Sequence, residues 1–134
     1  MTRLLLIISF FGLTNFSNGQ TIEDKQTVIQ MSIDLIDLQQ YFHVDKDDPL
    51  IILDDGIVPI DLKLIKFGEP VQFLEKPDLF FRNEKAYLDF DKFEISPDHA
   101  YVIFHYDIEG LTINLTFEKL DNNWTIKTKK LTEE

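Results

Sequence analysis

Between Ile22 and Phe42 the chain has no glycine or proline, and its polar residues recur with a helical period. At 100° per residue, Glu23, Gln26, Thr27, Gln30, Asp34 and Asp37 gather on one stripe. Val28, Ile29, Met31, Ile33, Leu35, Ile36, Leu38 and Phe42 take most of the remaining circumference. That pattern predicts one long amphipathic helix with a wide apolar face. Thr21 followed three residues later by Asp24 is a start signal: a hydroxyl cap and a returning carboxylate. A helix this apolar needs a large surface to cover it, most simply a sheet.

The last third of the chain alternates with period two. Tyr87 to Ile95 reads as a strand whose phase breaks near Asp91-Lys92, the mark of a bulge. Ser96-Pro97-Asp98 is a turn. Ala100 to Ile108 and Leu111 to Lys119 then alternate without error. With Glu109-Gly110 as a two-residue loop, Ile108 faces Leu111, Tyr106 faces Ile113, Phe104 faces Leu115 and Val102 faces Phe117. The other face pairs Asp107 with Thr112, His105 with Asn114, Ile103 with Thr116 and Tyr101 with Glu118. A loop one residue longer sets Asp107 against Leu111, so burial is expected to fix the register. After Asp121-Asn122-Asn123, Trp124, Ile126 and Thr128 continue the inward face, with Thr125, Lys127 and Lys129 outward. Lys130 to Glu134 has no period and is expected to fray.

The middle is less decided. Leu50 to Leu53 and Val71 to Leu74 read as short strands, the first ending at the turn Asp54-Asp55-Gly56. Pro59 to Phe67 with Gly68 after it fits a short helix, the favoured reading. Alternation at Ile60, Leu62 and Leu64 fits a strand instead. Asp45, Asp47 and Asp48 start like a calcium loop. Pro49 then falls where a third ligand belongs, and glycine is missing at the sixth place, leaving a solvated turn.

The start of the chain has a different logic. Met1-Thr2-Arg3 is a short positive head, Leu4 to Leu13 an apolar run, and Ser17 and Gly19 stand at the minus-three and minus-one places before Gln20. This order predicts a cleaved secretory leader over residues 1–19 and a single α+β domain over 20–134. The run is too short for a membrane span, and no membrane insertion of the mature form is expected. The expected address is secreted or periplasmic. Absent cysteine excludes disulfides, thiolate metal sites and cysteine nucleophiles.

Charge narrows the partners. Thirteen basic against 24 acidic side chains give −11, and losing Arg3 with the leader leaves 12 against 24, or −12. The sole basic cluster is Lys127-Thr128-Lys129-Lys130. Nucleic acid and anionic membrane surfaces are poor partners for such a chain, whereas a cationic ligand or plain solubility suits it.

The fold class expected is α+β: one long N-terminal amphipathic helix packed on a curved antiparallel β-sheet. The stretch AYVIFHYDIEGLTINLTFEKLDNNWTIKT resembles the closing hairpins of small exported NTF2-like and cystatin-like domains, over about residues 86–129. That resemblance implies a cone between helix and sheet, in which enzymes of NTF2-like form place His, Asp or Tyr. The fold hosts enzymes, carriers and interaction modules alike. The inward residues expected here are Val102, Phe104, Tyr106, Ile108, Ile113, Leu115, Phe117, Trp124 and Ile126, with one polar group, the Tyr106 hydroxyl. No catalytic pair, cofactor site or metal site is expected. His43, His99 and His105 are not spaced as ligands.

The binding residues singled out are Tyr101, His105, Asn114 and Glu118, a polar and aromatic group on the outward face suited to a protein contact or a homodimer. Asn114-Leu115-Thr116 and Asn123-Trp124-Thr125 are formal glycosylation sequons. The leading expectation is an exported, non-catalytic binding module for a protein or an apolar small ligand. The alternatives are an acidic inhibitor or immunity-type protein against a cationic secreted enzyme, and a small NTF2-like hydrolase or isomerase.

Overall fold

The computed structural model describes residues 21–42 and 48–134. The expected leader, His43, Asp45 and Asp47 lie outside them. The architecture is mixed α+β, a large curved sheet with few helices. In chain order come α1 (Ile22–Ile33), a 3-10 helix (Ile36–Tyr41), β1 (Ile51–Leu53), β2 (Ile65–Lys66) and β3 (Glu69–Pro70). Then follow β4 (Gln72–Leu74), α2 (Lys76–Phe81), β5 (Leu88–Ile95), β6 (His99–Tyr106), a 3-10 turn (Asp107–Glu109), β7 (Leu111–Leu120) and β8 (Asn123–Glu133). The sheet order is β4-β1-β5-β6-β7-β8, with β2 and β3 a separate hairpin. β5 to β8 form an antiparallel meander, but β1 runs parallel to both its neighbours, so the sheet is mixed rather than antiparallel throughout. No helix among the described residues is long and apolar enough to cross a membrane.

The long helix expected over Ile22–Phe42 is not present. α1 has 12 residues and opens with the expected capping box between Thr21 and Asp24. It stops at Asp34; Leu35 is extended, and a six-residue 3-10 helix follows. Side-chain hydrogen bonds explain the break. The Ser32 hydroxyl donates back to the Val28 carbonyl at 2.8 Å, a bond that favours bending. The Gln39 amide donates to the Ile33 carbonyl at 3.2 Å, which a continuing helix would have satisfied itself, and to the Leu35 carbonyl at 2.6 Å, which also accepts the Leu38 N–H. Leu35 and Leu38 both enter the core by this route, while Ile36 is left 85% exposed.

The helix favoured for Pro59–Phe67 is also not there. α1 holds this segment extended instead. Gln26 Oε1 accepts the Lys63 N–H at 2.8 Å, and the Gln30 amide exchanges bonds with both backbone groups of Ile65. Leu62 and Leu64 are buried and Lys63 and Ile65 exposed, the alternation of a strand. Phe67-Gly68 turns β2 into β3 with both residues at positive φ, as a primed two-residue turn requires. α2 carried no signal in the pattern, being under two turns long. Past its C-cap Arg82, Asn83 turns left-handed at φ 52°, and Glu84 donates its N–H back to the Leu79 carbonyl at 2.9 Å.

The core lies between one sheet face and α1. Val28, Ile29, Ile33 and Leu38 meet Leu88, Phe90, Val102, Phe104, Tyr106, Ile113, Leu115 and Phe117. Phe90 stacks on Phe104 with ring centres 4.7 Å apart. On the opposite face Leu79 of α2 closes a small cluster with Ile51, Leu53 and Leu74, so β1 is buried on both sides.

The bulge expected in β5 lies between Phe90 and Lys92. The β6–β7 register differs from expectation by two residues. Tyr106 pairs with Leu111, Phe104 with Ile113 and Val102 with Leu115. The loop is four residues, Asp107 to Gly110, with Gly110 left-handed at φ 65°. A Cβ at Gly110 would sit 3.0 Å from the Glu134 carbonyl oxygen, so glycine serves both the turn and the close approach. Ile108, expected inward, is on this loop and exposed.

β8 departs more. A register shift between the Phe117–Ile126 and Thr116–Thr128 pairs inserts Lys127 as an extra residue. Beyond it Lys129 and Leu131 share a face with Leu115 and Ile113, and Thr128 turns outward. The stretch expected to fray continues the strand to Glu133.

Candidate functional site

The four residues singled out share the sheet face opposite α1, but the register separates them. Tyr101 stands between Glu94 and Thr116, His105 between Asp89 and Thr112, and Asn114 between Ile103 and Lys130. Glu118 stands between His99 and Thr125, with Lys127 Nζ at 3.7 Å. His105 is thus opposite Thr112 rather than Asn114, and Tyr101 opposite Thr116 rather than Glu118. Thr112 and Glu118 are six strand steps apart, about 20 Å at strand rise. The four line a band across the face and do not converge on one point. Lys92 Nζ lies 5.4 Å from the Tyr101 ring centre, a cation over an aromatic face. Asn114 is mid-strand on this face, and Asn123 opens β8 exposed.

One compact constellation does form, around His105. Its Nδ1 is 2.9 Å from the Thr112 hydroxyl, and its Nε2 is 2.5 Å from Asp91 Oδ2. Asp91 reaches it because the β5 bulge projects that residue onto the outer face. Carboxylate, imidazole and hydroxyl in line is the arrangement of a nucleophile with an oriented base. His105, Asp91 and Thr112 line neither the groove beside Tyr101 and Phe117, nor the one at α2, nor those along α1, however. The imidazole therefore ties β5, β6 and β7 together on an open face.

The same corner is acidic. Burial raises the Asp89 pKa, and the charges of Asp55, Asp91 and Asp107 raise it further, against a smaller opposing pull from His105. The Tyr87 phenol is raised too, by burial and then by Asp107 and Asp89. Among the described residues no three His, Asp or Glu side chains are arranged to hold a metal ion. The carboxylates of Asp55, Asp89, Asp91 and Asp107 give this corner a negative field.

A buried carboxylate lies on the inner side. Asp24, 8% exposed, accepts through Oδ1 from Lys119 Nζ at 2.9 Å and Trp124 Nε1 at 3.0 Å, and through Oδ2 from the Thr21 N–H. Burial alone pushes its pKa up. The hydrogen bonds from Lys119, Trp124 and Thr21, with the Lys119 charge, outweigh that, and the group titrates below its ordinary range. Both oxygens are engaged, so Asp24 fastens α1 to the β7–β8 hairpin. Its capping role shows in the sequence; its partners, 95 and 100 residues away, do not.

Two apolar features complete the surface. A groove of about 490 Å³ runs between the α1 end and β8, lined by Met31, Leu35, Ile36 and Ile126 among others. Phe80 and Phe81 on α2 are 86% and 88% exposed. Neither was singled out from the sequence, because exposure of a hydrophobic residue is a tertiary property. Compared with known protein families, curated proteins and solved structures, the chain matches none.

Proposed function

We propose that this chain is an exported, non-catalytic binding module of NTF2-like or cystatin-like form that recognises a protein partner. The observation that carries the reading is a filled interior. Val102, Phe104, Tyr106, Ile113 and Leu115 are all 0% exposed and line none of the described grooves. A partner therefore meets the surface, where the outer face of β5–β7 presents Tyr101, His105 and Asn114. General acid–base catalysis needs two titratable groups converging in one cavity, and the buried core side chains between α1 and the sheet supply only the Tyr106 hydroxyl. The fold name rests on the antiparallel half of the sheet with α1 laid across it. The exported address rests on the composition of residues 1–19.

The acidic corner favours a cationic partner in particular. The charges of Asp55, Asp91 and Asp107 each oppose that of Asp89 there, and a basic side chain placed beside Asp89 relieves that repulsion. An apolar small ligand would find a groove at Met31, Leu35, Ile36 and Ile126, and another of about 570 Å³ lined by Ile95, Ala100, Tyr101 and Phe117. Titrating the labelled protein with a lysine-rich peptide, followed by backbone amide shifts, tests the reading. Shifts should centre on Asp89, Asp91, His105 and Asp107, weaken with added salt, and fade in Asp91→Asn/Asp107→Asn. Shifts elsewhere, or binding indifferent to that double variant, refute it.

A further inference from the structure

Strand β8 closes one side of the sheet, and its outer edge pairs with no strand among the described residues. An open edge is a template for another strand unless something blunts it. Here the bulge at Lys127 bends the strand and divides the edge. From Thr128 onward the ladder is regular, running from Thr116 opposite Thr128 to Leu111 opposite Glu133. The Glu134 N–H donates to the Gly110 carbonyl at 2.9 Å, so the backbone groups of Glu134 point toward the β7 side. Alternation then turns the backbone N–H and C=O of Lys129, Leu131 and Glu133 away from β7, toward the open side.

Those three residues restrict what strand fits. When the segment pairs antiparallel with itself, residues with outward backbone groups must face one another, which places the two-fold axis on a residue. With the axis on Leu131, Leu131 meets its own copy and Lys129 meets Glu133 in both directions. On the other face Lys130 meets Thr132, with Glu134 as its diagonal neighbour. With the axis on Lys130, that lysine faces itself; with it on Thr132, Leu131 faces Glu133. Only the Leu131 register matches charge, apolarity and hydrogen-bond direction together, and it spans Thr128 to Glu134 symmetrically. Lys129 Nζ already bonds Asp37 at 2.9 Å, but an ammonium has further donors for a second carboxylate. Beside the seam, exposed Ile36 and the groove it lines with Met31 and Ile126 add an apolar flank.

We propose that Thr128–Glu134 is a self-recognition edge, through which two copies of this chain join their sheets antiparallel about Leu131. A two-fold, self-complementary contact is the commonest form of homodimer.

Sedimentation equilibrium of the purified protein over about 1–100 µM should show reversible dimerisation. Lys129→Glu and Glu133→Lys each set like charges across the seam twice and should weaken the dimer about tenfold. The double variant Lys129→Glu/Glu133→Lys exchanges the charges and should restore it. Glu133→Pro deletes an N–H that β7 does not use and should also leave a monomer. Circular dichroism and a denaturation midpoint on each variant separate lost pairing from lost folding. If Lys129→Glu unfolds through losing Asp37, Glu133→Lys and Glu133→Pro carry the test. A monomer throughout the range, a dimer indifferent to the Glu133 variants, or a folded double variant no tighter than the singles overturns the proposal.

Discussion

Replacing Asp24 by alanine removes three contacts at once, and the structure assigns each a different weight. The capping interaction at the start of α1 is worth about 0.5–1 kcal/mol. The Trp124 indole N–H, on a side chain only 8% exposed, loses its acceptor in a place water reaches poorly, which costs about 1–2 kcal/mol. Lys119, with its side chain 23% exposed, can turn toward solvent, so its share stays below about 1 kcal/mol. The expected loss is therefore roughly 2–3 kcal/mol, read as a lower urea midpoint at unchanged slope at pH 7. Asp24→Asn keeps an acceptor oxygen for Trp124 and should lose about half as much. The pH dependence adds a second check. A carboxyl whose folded pKa lies below its unfolded value stabilises the fold above the unfolded value, and loses that contribution as pH falls through the folded one. The gap between wild type and Asp24→Asn should hold steady above the ordinary carboxylate value of 3.8 and close on acidification below it. A loss under about 0.5 kcal/mol for Asp24→Ala, or a gap that widens in acid, refutes the reasoning.

Phe104→Ala empties a fully buried site that stacks on Phe90, and should cost about 3–5 kcal/mol by chemical denaturation; an unchanged midpoint would show that the inward face is misassigned. Asp89→Asn removes a carboxylate held above its ordinary pKa by burial and by Asp55, Asp91 and Asp107. A raised folded pKa favours the folded state only at low pH, so the variant should be more stable than wild type at pH 7, by roughly 0.5 kcal/mol. That advantage should vanish below about pH 4, where both states are protonated; a destabilised variant at pH 7 contradicts the assignment. N-terminal sequencing of native material should begin at Gln20, and intact Met1 in a cytosolic extract overturns the exported address.

The residues themselves determined which face each strand of β5 to β7 turns inward, because side-chain direction alternates locally and needs no partner to be read. They also determined the capping box at Thr21 and Asp24, the bulge at Asp91 and the turn at Asp121-Asn122. Register was another matter. A slip of one residue exchanges the faces, but a slip of two restores them, so burial could not separate Tyr106 opposite Ile113 from the observed Tyr106 opposite Leu111. The conformation of Asp107 to Gly110 decided it. That same shift replaced Asn114 by Thr112 as the partner of His105, and with it the composition of the candidate site. The long-helix pattern hid its break because the Ile33 carbonyl is taken by the Gln39 side chain, a bond with no trace in hydropathy. The extended path of Leu62 to Ile65 depends on Gln26 and Gln30, more than 30 residues earlier. β8 lost its phase at Lys127 because a bulge belongs to a pair of strands and not to one. Periodic, nearest-neighbour physics was legible in the chain; everything resting on a hydrogen bond between distant segments waited for the fold.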